Sequence, residues 1–257
     1  MSNLAVKNVH PRDNHITFDE PTHIYTVNGS SKGVISVTKL LSSLHSKFDA
    51  DKIIQGMKNS PKWPESPYFG MSDADIKKQW TDNGAQASSA GTALHLAIEE
   101  YLDGQEITNR SVLDSVEWGY FIEFWDQHKT ILEPYRMEWS VYIEELKLAG
   151  QIDAVFRRKS DGAFFIYDWK RTKEIKYENT YQNCLDPIRH LPDTNYWHYT
   201  LQLNVYRYIL ENYYGMPIKD MYLIVLHPDN KTFRKLRLNR MDAEVQDILR
   251  TLETKKG

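Results

Sequence analysis

The chain has 257 residues, 41% hydrophobic and 26% charged, with a net charge of −3. That length fits one large domain, or one domain with an appendage, with room for a sizeable core, and the charge excludes a bulk polycation, so any nucleic-acid contact must rest on local basic patches. A lone cysteine, Cys184, excludes an intramolecular disulfide and a Cys-based zinc site.

Residues 1–14 are polar and expected to be partly disordered. No apolar run nears membrane-spanning length and no basic-then-apolar leader is present, so neither a span nor a signal peptide is expected and the protein should be intracellular. Residues 16–27 read as two short strands around Asp19-Glu20-Pro21, followed by a turn at Asn28-Gly29. Residues 34–38 lead into a helix over 39–44, which Ser36 or Thr38 would cap. A helix start with small hydroxyls is also a seat for a phosphate. Residues 59–70 hold three prolines and read as a loop, with Trp63, Tyr68 and Phe69 available to pack or to touch a ligand.

One helix is expected from Ser72 or Asp73 toward Trp80, and a second over 85–102. On the second, His95 and Glu99 lie one turn apart. A further helix is expected over 111–128, with Val112, Val116, Tyr120 and Phe124 on one side. Residues 136–145 alternate as a strand. Residues 151–157 and 163–170 alternate likewise around Asp161-Gly162, a pairing that suits a two-residue hairpin turn. With those two as the central turn residues, Asp153 opposes Lys170 and Val155 opposes Asp168. Asp153, Asp168 and Lys170 then share a face, while Ile152, Ala154, Phe156, Phe165, Tyr167 and Trp169 form a face to bury. Residues 170–176 and 231–240 are basic runs. Residues 177–194 look irregular, residues 196–214 form a long helix, and Met221–Leu226 reads as a buried strand. A strand over 232–238 and a helix from Asp242 complete the chain.

Two carboxylates and an amine on one face are the parts for metal-assisted phosphodiester hydrolysis. Carboxylates suit Mg²⁺ or Mn²⁺, and the amine orients a water or neutralises charge on a phosphate. The bland alternative is an ion pair on an exposed sheet face.

The polar residues fall in a fixed order: Gly91-Thr92-x-x-His95, Gly150-x-x-Asp153, Asp168-x-Lys170 and Gln202-x-x-x-Tyr206. On a helix, three-strand meander, helix and strand, this order resembles the PD-(D/E)XK nuclease superfamily. Specifically it resembles the RecB-like branch, which includes RecB and AddB nuclease domains, CRISPR-associated spacer-acquisition nucleases, and phage and mitochondrial single-domain exonucleases. The segment Gly33–Thr38 also resembles one that precedes the helix in the phage and mitochondrial members.

The resemblance implies an α/β (α+β) restriction-endonuclease-like core, a central mixed β-sheet flanked by helices. It assigns residues 85–257 to the nuclease core and residues 1–84 to an N-terminal β-hairpin and helical extension that contacts DNA. It makes His95, Asp153, Asp168 and the Trp169 carbonyl ligands of one or two Mg²⁺ or Mn²⁺ ions, and Lys170 the catalytic lysine. Gln202 and Tyr206 would contact the substrate strand. Glu138 and Glu99 are further candidates. Ser36, Thr38, Arg171 and Lys173 are expected on the nucleic-acid backbone. A four-cysteine iron–sulfur cluster is excluded by the single cysteine. One departure from the superfamily motif is Ile152 in place of proline before Asp153, which is ordinary in the RecB-like branch. The implied activity is a DNA exonuclease on single strands or ends, with replication or recombination proteins as partners and no membrane. A structure-specific endonuclease, an RNA nuclease and a non-cleaving nucleic-acid-binding module are the alternatives.

Overall fold

A computed structural model describes residues 2–254. Residues 2–14, expected to be partly disordered, are ordered as α1 (Asn3–Lys7) and a 3-10 turn at Pro11–His15. The cause lies far along the chain. The Asp103 carboxylate accepts from Ser2 Oγ at 2.6 Å and from the Asn3 and Leu4 amides at 2.7 Å. It thereby satisfies donors at the helix start that have no partner within the helix. Asp13 in turn holds Arg136 at 2.7 Å and the Trp139 indole N–H at 2.8 Å.

Strands β1 (Ile16–Asp19) and β2 (Ile24–Val27) form a separate antiparallel hairpin. Strand β3 (Ile35–Ser36) leads into α2 (Val37–Ser42), and the Ser36 hydroxyl caps it by accepting from the Lys39 amide. Helix α3 (Ala50–Lys58) is an addition to the expected elements. Helix α4 runs unbroken from Asp73 to Leu102, 30 residues, where two helices were expected. Gly84 costs only about 1 kcal/mol in a helix interior. With a Ser72 cap at one end and Leu94, Ala97 and Ile98 packed at the other, the exposed middle stays helical.

Helix α5 (Val116–His128) starts later than expected, at a Ser115 cap after a 3-10 turn over Arg110–Asp114. The buried side shares Phe124 with the expected stripe but is otherwise centred on different residues. Trp118, Phe121 and Phe124 are buried, and Val116 is exposed.

The main sheet contains β4 (Leu132–Ile143), β5 (Leu148–Arg158), β6 (Phe164–Lys170), β7 (Ile218–Val225) and β8 (Arg234–Leu238), with β3 joining β5. It is mixed. β4, β5 and β6 form an antiparallel meander, and β6 pairs parallel with β7 after a crossover through α6 (Asn195–Tyr213). Helix α7 (Asp242–Thr254) follows β8. One face packs on α4 and α5 through Ala154, Phe156, Phe165, Tyr167 and Trp169. The other packs on α2, α6 and α7 through Val155, Ile166 and Leu223.

The β5–β6 hairpin departs from the expected register. The Arg158 amide donates to the Ala163 carbonyl at 2.8 Å, so residues 159–162 form the loop. Gly162 alone of these takes a positive φ, 73°. The Asp161 carboxylate fastens the loop by accepting from Arg158 Nε and the Ala163 amide at 2.8 and 3.2 Å. Val155 therefore faces Ile166 and Ala154 faces Tyr167. The next residues outward are Asp153 and Asp168, so Asp168 replaces Lys170 as the counterpart of Asp153. A slip of two residues keeps every side chain on its face.

Candidate active site

The two aspartates sit where β5 and β6 part. Ladder pairing between these strands ends at Ala154 and Tyr167. Beyond that point β6 pairs only with β7, while β5 pairs with β3 at Leu148 and Ala149. The Trp169 amide has lost a ladder acceptor, and it donates instead to Asp153 Oδ2 at 3.0 Å. Where the strands part, Asp153 lines a cavity, while Asp168 stays buried at 1% exposure.

Helix α4 brings His95 to this point. A carbonyl oxygen only accepts, so the 2.9 Å contact between His95 Nε2 and the Trp169 carbonyl means that Nε2 carries the proton and donates it. The Nδ1 lone pair is left facing Asp153 Oδ2 at 3.6 Å. Burial, and then the Lys170 ammonium, hold the imidazole pKa down at about 4, so the ring is neutral at pH 7. A lone pair and a carboxylate that converge without a proton between them suit a cation. The Trp169 carbonyl, expected among the ligands, accepts from this imidazole.

Glu138 completes the group. It lies on β4 between the pairs Met137–Ala154 and Trp139–Ile152, beside Asp153. Its φ is 43°, left-handed backbone inside a strand. That conformation costs roughly 1–3 kcal/mol for a residue with a Cβ. Gln151 Nε2 donates to the Glu138 carbonyl at 3.1 Å and holds the turned peptide. Donor atoms of His95, Glu138 and Asp153 all lie within 4.8 Å of one another.

Asp168 and Lys170 stand beside them. Lys170 Nζ is 2.6 Å from Asp168 Oδ2. That contact is an ion pair by distance alone. Both Asp168 oxygens are buried and neither has a hydrogen bond of ordinary geometry. Burial, then Asp153, push the Asp168 carboxyl up to about 7. Burial, then Asp153, push Glu138 well above the usual carboxylate range. Burial also raises Asp153. Burial works against the Lys170 charge, but Asp168 and Asp153 overcome it and hold the ammonium above its ordinary pKa. The Tyr199 ring lies under the ammonium, 5.1 Å from Nζ to centroid. Three acids thus face one amine in a desolvated cleft. Their oxygens and the imidazole nitrogen form a donor set that fits a divalent ion of the Mg²⁺ or Mn²⁺ kind.

The cleft opens into a cavity of about 750 Å³. Ser36, Thr38, His95, Glu99, Glu138, Asp153, Gln202 and Tyr206 all line it. Ser36 Oγ and Thr38 Oγ1 are 3.0 Å apart at the start of α2. Gln202 Nε2 donates to the Tyr206 hydroxyl at 3.4 Å. The β1–β2 hairpin supplies a wall through Phe18 and Tyr25, whose rings stack at 4.4 Å. The two strands expected over residues 16–27 thus form part of the cavity wall. Arg171 and Lys173, expected on the nucleic-acid backbone, lie outside the cavity. Each is paired with an acid, Arg171 with Glu117 and Lys173 with Asp229, both at 2.7 Å.

A family model described as the PD-(D/E)XK nuclease superfamily matches residues 114–256, more than half of the chain. The chain belongs to that superfamily. Its sheet and flanking helices are those of a PD-(D/E)XK core, and the matched stretch contains Glu138, Asp153, Asp168, Lys170, Gln202 and Tyr206. PD-(D/E)XK nucleases act on nucleic acid and typically use divalent metals. No curated protein matches the chain. Among solved structures, one titled "Crystal structure of SSO0001" is similar at 10% identity and a TM-score of 0.27. The match covers 58% of this chain and 62% of that one. Among the described residues no helix is long and apolar enough to cross a membrane.

Gly150 shows how tightly the PD-(D/E)XK strand and α6 meet. A Cβ there would lie 2.6 Å from Tyr206 Cε1 and 3.0 Å from Val37 Cγ2. Gly150→Ala is expected to lower stability by about 1–3 kcal/mol through overpacking. Thermal denaturation checks this, and an unchanged midpoint would mean that Tyr206 moves aside freely.

Proposed function

We propose that this chain is a RecB-like exonuclease that hydrolyses DNA phosphodiesters at single strands or strand ends with Mg²⁺ or Mn²⁺. The observation that carries the reading is the meeting of the His95 lone pair, Glu138 and Asp153 beside the buried Asp168–Lys170 pair. These residues would hold the ion, with Asp168 as a further ligand through Oδ1, the oxygen not paired with Lys170. A bound divalent ion supplies charge against the scissile phosphate and acidifies a water.

The chain's own residues supply the rest. Lys170 keeps its proton in this setting, so it acts as a donor to the reacting phosphate or to the attacking water. Trp169 holds His95 through its carbonyl and Asp153 through its amide, which fixes two ligands with the backbone of one residue. Gln202 and Tyr206 present an amide and a phenol to the strand at the cavity wall. Ser36 and Thr38 offer hydroxyls to a neighbouring phosphate. The cavity has walls on several sides, from the β1–β2 hairpin, α4, β4 and α6. A single strand suits such a space better than a duplex, which supports the reading of single strands and ends.

The test is a product ladder from 5′- and 3′-labelled single strands, with a closed circular strand alongside, in Mn²⁺. Stepwise shortening from one end with the circle spared is expected. Equal cutting of circle and linear strand would replace the exonuclease with an endonuclease. Faster loss of a matched RNA would replace DNA as the substrate.

A further inference from the structure

A second group of ligand-type side chains meets where three parts of the chain cross. His45 follows α2, Cys184 lies in the irregular stretch 171–194, and Asp193 precedes the Thr194 start of α6. His45 Nδ1 is 2.7 Å from Asp193 Oδ1 and 3.8 Å from Cys184 Sγ. The three donor atoms all lie within 4.8 Å of one another. Cys184 is buried, and the His45 and Asp193 side chains are only 10% and 15% exposed. Two buried polar atoms at this crossing, His45 Nε2 and Thr194 Oγ1, have no hydrogen-bond partner.

We propose that His45, Cys184 and Asp193 form a structural site for a thiophilic divalent ion, zinc by preference, that fastens the stretch 171–194 to α2 and α6. An acid–base relay does not account for the group. Asp193 and Cys184 both approach the same imidazole nitrogen, so His45 has no second nitrogen to pass a proton between them. One nitrogen, one sulfur and one oxygen around a point are a zinc donor set, and the sulfur disfavours Mg²⁺ and Mn²⁺. Donors of a tetrahedral zinc stand about 3.3–3.6 Å apart, from bond lengths near 2.0–2.3 Å. The His45–Cys184 separation of 3.8 Å is close to that. The His45–Asp193 contact would open by about half an ångström as the ion takes the proton's place.

The protons balance. Cys184 gives its thiol proton to solvent and becomes a thiolate. The Nδ1 proton of His45 is given up and Nε2, the unpartnered nitrogen, is protonated, so the ring stays neutral. Water takes the fourth position. Without an ion, burial and then Asp193 push the Cys184 thiol up to about 11, so it rests as a thiol. The exclusion drawn from one cysteine covers only sites built from several; a mixed set escapes it.

The location gives the site a purpose. A stretch as long as 171–194 without helix or strand needs ties to stay in place. Its backbone ties gather here, with the Leu185 amide on the Leu44 carbonyl at 2.8 Å and the Cys184 amide on the Leu191 carbonyl at 2.9 Å. The stretch leaves β6 directly after Lys170, so fastening it steadies the end of that strand.

Cobalt(II) titration of the full chain tests the site, because thiolate ligation gives an intense near-ultraviolet charge-transfer band. The band is expected in wild type and in Asp153→Asn, which alters only the nuclease cleft. It is expected to vanish in Cys184→Ser and in His45→Gln, and to be displaced by zinc. Zinc should raise the melting temperature of Asp153→Asn, and raise it much less once His45→Gln is added to that variant. Should Cys184→Ser fail to fold, folded His45→Gln with its thiol still titratable decides. No band in folded wild type, or a band that survives His45→Gln, would overturn the site.

Discussion

Lys170→Met is expected to slow cleavage of a labelled oligonucleotide by about 10²–10³-fold, the usual cost of removing one preorganised donor from developing charge. Methionine keeps the length and apolar bulk of the stem over Tyr199, so the loss reports on the ammonium itself. The variant also separates chemistry from metal binding. Lys170 contributes no lone pair to an ion while it is protonated, so calorimetric Mn²⁺ affinity should hold or rise. Stability in the metal-free state should fall. The ammonium is the cation that faces Glu138, Asp153 and Asp168, and Asp168 is only 1% exposed. Removing one member of a buried pair typically costs about 3–5 kcal/mol. In a chain of this size each kcal/mol moves the midpoint by about 2–4 °C. Mn²⁺ should restore much of that loss, because it replaces the missing positive charge. Wild-type turnover in a folded Lys170→Met protein would take the lysine out of the chemistry.

Local spacing made part of this site readable before any coordinates. Asp168 and Lys170 are two apart on a strand, so alternation alone aims acid and amine to one side. Gln202 and Tyr206 are one helical turn apart for the same kind of reason. The order of elements from α4 to β7 also followed from periodicity, because long patterned segments dominate there. What escaped was set by distant partners. Asp161 binds Arg158 and the Ala163 amide, which widens the hairpin loop and moves the β5–β6 pairing by two residues. Asp103 organises α1 from a hundred residues away. Arg171 and Lys173 stand in a basic run in the sequence, and their ion-pair partners Glu117 and Asp229 come from distant parts of the chain. A basic run shows charge but not its local partners. The left-handed backbone of Glu138 had no sequence signal either, since glutamate is not a residue that favours it.

That strained residue carries the second large expected effect. Glu138→Gln should raise the melting temperature of the metal-free protein at pH 8 and shrink the rise that Mn²⁺ produces. Glutamine has the same stem and the same backbone cost, so the change isolates the carboxylate charge. Burial, and then Asp153, raise the Glu138 pKa in the folded chain, so the folded value lies above the unfolded one. The sign follows from linkage. The contribution of such a group to stability is present in full below the unfolded pKa, about 4.3 for a glutamate. It is lost as pH climbs through the folded pKa, where the fold is forced to bear the charge. Wild type without metal should therefore weaken from about pH 4 upward relative to Glu138→Gln. With Mn²⁺ the order should reverse, because ligand at a hundred times its dissociation constant adds about 2.7 kcal/mol to a chain that binds it fully. Melting curves at pH 4 and pH 8, with chelator and with Mn²⁺, check both halves. A variant that melts below wild type in chelator at pH 8, or gains as much from Mn²⁺, would mean that Glu138 shares neither the repulsion nor the ion.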